Sequence, residues 1–323
     1  MSDAVANTGS ALANLGFVFP GQGSQSLGML GGLAGCHASV RAAFDEASAG
    51  AGVDLWTLAQ DGPEERLNRT EFTQPALLAA GVAVWRAWLA AGGPAPARLA
   101  GHSLGEYAAL VAAGALSLHD GARLVRLRGQ FMQEAVPEGA GAMAAVLGAE
   151  DHVVEEVCRA VSAAEVVVAA NYNSPGQIVI GGHAGALDAA LAELAARGVR
   201  KAVKLAVSVP SHTPLMHAAA ERLAVAMDEI AWREPAIPVV QNVDAKVHGG
   251  VAAVREALVR QLYLPVRWSA CIAALSDVGI SRIAECGPGK VLSGLTRRID
   301  KALDARALGT PEDFDAALAA WRA

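Results

Sequence analysis

Leu99-Ala-Gly-His-Ser-Leu-Gly-Glu-Tyr107 is the stretch on which the reading of this chain turns. Its core, Gly101 to Gly105, matches G-x-S-x-G, the pattern of a strand that bends abruptly into a helix with serine at the apex. Such a bend strains the backbone at the serine, and glycines on either side let strand and helix pass closely. The hydroxyl then stands clear of the sheet, above helical N–H groups able to receive an anion. The pattern also occurs in ordinary loops, and Ser103 could simply cap the following helix. The neighbouring chain decides between these.

Working outward, Leu15-Gly-Phe-Val-Phe19 reads as a buried parallel strand feeding the glycine-rich loop Pro20–Gln25. Helical patterns follow at Ala38–Ala49 and Gln74–Ala91, and Gly92-Gly93-Pro94 stops the chain before a short strand at Arg98–Gly101. Helices are expected over Leu104–Ala113 and His119–Ala135. Strands and helices alternating at this spacing predict an α/β layer fold around a parallel sheet. After Pro137 the order becomes βαββαβ, the split βαβ ferredoxin-like pattern, ending with a strand at Arg200–Val207. The expected organisation is a tail at 1–14, a large domain from 15–137 and 208–323, and a small inserted domain at 138–207. The large domain resumes with the Pro210-Ser211-His212 loop and a helix with Thr213 as N-cap and Pro214 at N1.

Composition narrows the function classes. The 323 residues are 53% hydrophobic and 18% charged, enough for a large core. A formal net charge of −6 provides no global basic field for nucleic acid. Four cysteines without C-x-x-C spacing fit neither a disulfide framework nor a zinc site, and no H-E-x-x-H occurs, so no metal is expected. The apolar run at Ala76–Gly93 is interrupted by Gly81 and Arg86, which marks a buried helix rather than a membrane span. The first residues lack a signal-peptide pattern. A soluble, cytoplasmic protein is the expectation.

A serine nucleophile needs a base, usually a neutral imidazole. Of eight histidines, His102 adjoins the serine but points elsewhere on a sharp turn, and His217 falls in a helix. His212 sits at a loop-to-helix junction after an apolar strand, where active-site residues of α/β folds collect. Spacing alone leaves its role open. Arg128 is an independent clue. On the helix His119–Ala135 it falls at the centre of the face carrying Leu124, Val125, Phe131, Met132 and Ala135. An inward guanidinium keeps its charge and needs an anionic partner, either an internal Asp or Glu or a substrate carboxylate. The Gly21–Gln25 loop lacks the Lys-Ser/Thr of a P-loop but can offer a backbone N–H to an oxyanion, beside that of Leu104.

These motifs together resemble malonyl-CoA:acyl carrier protein transacylases and the acyltransferase domains of fatty-acid and polyketide synthases. The resemblance is carried by Phe19-Pro-Gly-Gln-Gly-Ser-Gln25, Gly101–Tyr107, Arg128-Gly-Gln-Phe-Met-Gln133 and Asn171-Tyr-Asn-Ser-Pro-Gly-Gln177. Ser208-Val-Pro-Ser-His212, Asn242-Val-Asp244, Arg260-Gln-Leu-Tyr263 and Glu285-Cys-Gly-Pro-Gly-Lys290 continue it in the family's order. It implies a large α/β hydrolase-like domain with a ferredoxin-like insertion. It further implies Ser103 as acylated nucleophile, His212 as base, and the backbone carbonyl of Gln261 as orienting partner. The N–H groups of Gln22 and Leu104 would form the oxyanion hole, and Arg128 would hold the malonyl carboxylate. The implied reaction is ping-pong malonyl transfer to acyl carrier protein, with malonyl-CoA and the carrier as partners and no cofactor. A free-standing monomer is expected, with carrier docking on basic residues among Arg197, Arg200, Lys201, Lys204 and Lys290. The alternative is a serine hydrolase such as a thioesterase, in which the base usually lies late in the chain.

Overall fold

A computed structural model describes residues 11–207 and 209–322. Two sheets organise the chain. The larger contains β1 (Ala11–Phe19), β2 (Ala95–Gly101), β7 (Val239–Gln241), β8 (Lys246–Val247), β9 (Arg282–Glu285) and β10 (Asp304–Ala307), in the order β10-β9-β1-β2-β7-β8. The smaller contains β3 (Gly141–Leu147), β4 (Val167–Ser174), β5 (Gln177–His183) and β6 (Lys201–Lys204), in the order β4-β5-β3-β6. All pairings in the large sheet are parallel except that of β8 on β7, an antiparallel edge absent from the expected pattern. The small sheet is antiparallel throughout, with helices Asp151–Val161 and Ala184–Ala196 between its strands, which is the ferredoxin-like arrangement.

The expected tail needs correction. Residues 1–10 lie outside the described residues, but 11–14 belong to β1, because Ala11 and Leu12 pair with Ala95 and Pro96 before the register shifts ahead of Gly16. The long helix likewise begins at Thr70, not Gln74, with Pro75 in an early turn. There the missing proline N–H costs only one bond. The expected N-cap at Thr213 is also revised. Pro214–Met216 forms a short 3-10 turn, and the Thr213 hydroxyl donates to the Pro210 carbonyl at 2.7 Å instead of capping it. Ser208 lies outside the described residues.

Core packing sets where the strands end. Phe17 of β1 meets Trp85 and Trp88 edge-on, and Trp88 in turn meets Phe314 and Trp321. Each such pair contributes about 0.5–1.5 kcal/mol beyond burial. Phe19 and Gly101 are register partners, so the loops after β1 and β2 emerge side by side at the carboxyl edge of the sheet. The close crossing requires glycine: a Cβ at Gly101 would lie 1.9 Å from the Gly105 carbonyl carbon, and one at Gly105 2.0 Å from the Phe19 carbonyl oxygen. After β9, the Gly287-Pro288-Gly289 turn lets buried Glu285 accept the first N–H groups of the helix Val291–Ile299, at 3.0 Å from Leu292 and 2.8 Å from Ser293. That segment is a turn that leads into a capped helix.

The small sheet has two apolar faces with different tasks. Ala144, Val146, Ile178 and Ile180 belong to a cluster with residues of its own two helices. Met143, Ala170 and Val179 lie in a separate cluster on the other face. Met143, with Leu205 and Val207 from the segment after β6, which ends at Lys204 and not at the expected Val207, lines the cleft above Ser103.

Candidate active site

Ser103 has φ 52°, in the left-handed region that a non-glycine residue rarely occupies. Its backbone is fixed by Asn242, whose Oδ1 accepts the Ser103 N–H at 2.7 Å while its Nδ2 donates to the Gly101 carbonyl at 2.7 Å. The hydroxyl lies 2.7 Å from His212 Nε2. His212, itself at φ 62° and 3% exposed, places Nδ1 2.6 Å from the Gln261 carbonyl oxygen. A carbonyl can only accept, so Nδ1 carries the ring proton and Nε2 is left to accept from the serine.

Two other histidines point away from this pair. His102 Nε2 lies 2.8 Å from Asn173 Oδ1, and its ring packs on Trp268 at 5.4 Å. His217 begins the helix His217–Met227 and stacks on Tyr263.

Arg128 is 1% exposed on the helix Leu118–Glu134, on the face that its spacing predicted. Its Nη1 donates to Gln74 Oε1 at 2.8 Å, and its Nη2 donates to Gln261 Oε1 at 3.0 Å and reaches Ser103 Oγ at 3.4 Å. These partners are neutral. Among the described residues no carboxylate oxygen lies within ion-pair distance of it, and its Nε has no acceptor. A buried guanidinium held by amides and aimed at a hydroxyl is a prepared place for a carboxylate.

The neighbouring N–H groups complete the site. Among the described residues neither the Gln22 nor the Leu104 backbone N–H donates to a protein acceptor, and both residues line the chamber over Ser103. Gln22 is anchored through its side chain, which donates to Thr70 Oγ1 at 3.4 Å. The chamber encloses about 110 Å³, with Ser103, Arg128 and His212 on one side and Met143, Leu205 and Val207 on the other. Drug-sized pockets start near ~300 Å³, so this is room for a short acyl group. Among the described residues no group of three or more His, Cys, Asp or Glu side chains could hold a metal ion.

Burial and the adjacent Arg128 charge push His212 down to about 3. Its ordinary value is near ~6.5, so in the window between the two the unfolded chain binds more protons than the fold. At this site stability is therefore full above the ordinary value and is lost as pH falls toward the lowered one. The imidazole stays neutral throughout, ready to act as base. The expected result is a kcat/KM that shows no acid limb near pH ~6.5, the usual histidine value. A pH–rate profile of acyl transfer checks this, and a limb centred there would contradict the lowered value.

Spacing left His212 open, and Gln261 entered only through the resemblance; the fold brings both to Ser103. Asn242 was quoted within a motif but given no role, and Gln74, Gln241 and Glu106 were missed. Glu106 carried a usable signal. It is a lone carboxylate in a run of buried residues on the helix Gly105–Ala112, the same anomaly that exposed Arg128.

Fold and site together define the class of α/β proteins that present a serine on a strand-to-helix turn to a histidine from a later loop. The acyl transferase domain model matches residues 16–307. The chain belongs to the acyl transferase family. It is 51% identical over 307 residues to the malonyl CoA-acyl carrier protein transacylase of Salmonella typhimurium, covering 95% of this chain and 99% of that one. The crystal structure of the malonyl-CoA:acyl carrier protein transacylase of Xanthomonas oryzae is similar at TM-score 0.96 and 71% identity, over 96% of this chain and 99% of that one. A structure of a type II PKS acyl-carrier protein in complex with its malonyl-transacylase matches at TM-score 0.93 and 49% identity, over 95% of this chain and 99% of that one.

Proposed function

We propose that this protein moves the malonyl group from malonyl-CoA to the phosphopantetheine thiol of an acyl carrier protein through a malonyl-serine intermediate. The carrying observation is Arg128: a buried cation held by neutral amides, 3.4 Å from the hydroxyl that His212 engages. His212 takes the Ser103 proton as Oγ attacks the thioester carbon. The negative oxygen of the tetrahedral intermediate rests on the Gln22 and Leu104 N–H groups, and the carbon–sulfur bond then breaks. His212 returns the proton to the departing coenzyme A thiolate. The carrier's thiol repeats the sequence in reverse, with His212 again taking and returning a proton. The Gln261 carbonyl keeps the imidazole in the required tautomer. Each proton and bond change has a residue of this chain to carry it, without a cofactor.

Relatives named for malonyl transfer to acyl carrier protein support the substrate pair, and the complex of a carrier with its malonyl-transacylase supports the carrier as a physical partner. The product serves fatty-acid or polyketide synthesis. A monomer in the cytoplasm completes the reading. In support of that location, no helix among the described residues is long and apolar enough to cross a membrane. The basic residues first considered for carrier docking are partly neutralised: Lys204 pairs with Asp188 at 2.5 Å, and Arg197 with Glu193 at 2.8 Å. Arg200, Lys201 and Lys290 form no ion pair among the described residues and keep their charge for an acidic partner.

Incubation with malonyl-CoA and a phosphopantetheinylated carrier protein separates transfer from hydrolysis. Malonyl-carrier as the main product is expected. Free malonate as the main product would instead make the protein a thioesterase.

A further inference from the structure

The Glu106 carboxylate touches none of the reacting atoms, but two of the three residues it accepts from, Asn242 and Gln261, hold the residues that carry them. It is fully buried in the first turn of the helix Gly105–Ala112. Its Oε1 accepts from Gln241 Nε2 at 3.1 Å, and its Oε2 accepts from the Asn242 N–H at 2.8 Å and from Gln261 Nε2 at 3.1 Å. Asn242 in turn accepts the Ser103 N–H. Gln261 does more. Its Nε2 also donates to the Ser103 carbonyl at 3.0 Å, its Oε1 accepts from Arg128, and its backbone oxygen accepts from His212.

An amide side chain has a donor end and an acceptor end, and only one orientation serves this site. With Nε2 turned toward Glu106 and the Ser103 carbonyl, Oε1 must face Arg128. Turned over, Gln261 would present N–H groups to a guanidinium. Glu106 Oε2 is the nearer of two side-chain acceptors for Gln261 Nε2, at 3.1 Å against 3.3 Å for Asn242 Oδ1, and it makes the productive orientation the better satisfied one, because buried donors seek acceptors. We propose that Glu106 is a positioning residue for malonyl transfer, setting the Gln261 amide so that its side chain holds Arg128 for the malonyl carboxylate while its backbone carbonyl stays in place to hold His212 for the serine.

Burial is the largest influence on Glu106 and pushes it up to about 7, against the hydrogen bonds and Arg128, which lower it. All three of its partners donate to it, so its role rests on its oxygens as acceptors. A glutamine can supply the acceptor at the Oε2 position. Its new NH₂ would then face Gln241, whose Oε1 has no partner among the described residues and can turn to receive it.

This inference rests on the malonyl-transfer reading, and the wild-type protein is assayed alongside to keep the two apart. Failure of the wild type to transfer malonyl would count against the function; the variants bear on Glu106. Transfer from malonyl-CoA and from acetyl-CoA is measured for Glu106→Asp, Glu106→Leu and Glu106→Gln, with circular dichroism and thermal melts as folding controls. Glu106→Asp keeps a carboxylate one methylene too short to reach Gln261, and it is the decisive variant should Glu106→Leu fail to fold. A misplacement of about 1 Å can cost ~10²-fold in rate, so malonyl kcat/KM is expected to fall by about that factor in the folded Asp variant. Acetyl transfer makes no use of Arg128 and is expected to fall about tenfold less. Glu106→Gln should recover malonyl transfer to within about fivefold of wild type, since its carbonyl accepts the same donors. Wild-type rates in Glu106→Asp, equal losses with both donors, or a Gln variant as impaired as the Asp variant would each overturn the assignment.

Discussion

With Ser103 replaced by alanine, the protein is expected to carry no malonyl adduct in intact-mass measurements and to lose transfer by a factor on the order of 10⁴ to 10⁶. The size follows from what is removed. Among the described residues only the Ser103 Oγ lies on His212 Nε2, with no second hydroxyl so placed in the chamber. The fold should tolerate the change, because alanine removes a hydroxyl without adding bulk and the Asn242 side chain still holds the backbone of residue 103. An adduct persisting on Ser103→Ala would place the acyl group on another residue and end the covalent assignment.

The second large effect is selective. Arg128→Ala should depress malonyl transfer by about 30- to 3,000-fold, the range for losing one partner of a buried hydrogen-bonded charge pair, worth ~2–5 kcal/mol. Acetyl transfer should change by less than about tenfold, or even rise, since an uncharged acyl group leaves the buried cation unanswered in the wild type. Gln74 and Gln261 lose a donor each in this variant, which sets a common cost for both substrates. The ratio of the two rates isolates the carboxylate contact. Equal losses with malonyl-CoA and acetyl-CoA would remove Arg128 from substrate selection.

Legibility in the sequence followed the range of the interaction. The serine turn was readable because its demands are local: Gly101 and Gly105 are needed within four residues of each other by a contact that a Cβ would close. Arg128 was readable because helical periodicity places it among apolar neighbours without reference to any other element. His212 and Gln261 were not, because their meaning lies in a meeting with Ser103 across 109 and 158 residues of chain. No period or composition encodes such a meeting; here it came from a family resemblance. The antiparallel edge at β8 was hidden by its length, two exposed residues, and the start of β1 by weakly patterned small residues. Glu106 was overlooked for a different reason. A carboxylate in the first turn of a helix has an ordinary use at the positive end of the dipole, so its type and place alone do not mark it as unusual.

The place of β1 between β9 and β2 has a consequence for how the molecule is made. Synthesis runs from the amino terminus, so β1 leaves the ribosome first, yet one of its edges pairs with β9 at residues Arg282 to Glu285. For most of translation that edge has no permanent neighbour, and pairings this distant in sequence form slowly. Ser103 and Arg128 emerge early, while His212 and Gln261 follow only after the whole smaller sheet has been produced. A nascent or truncated chain thus displays the hydroxyl without the imidazole that activates it. Chemical competence arrives with the last third of the polypeptide, at about the moment the oldest strand gains its final neighbour.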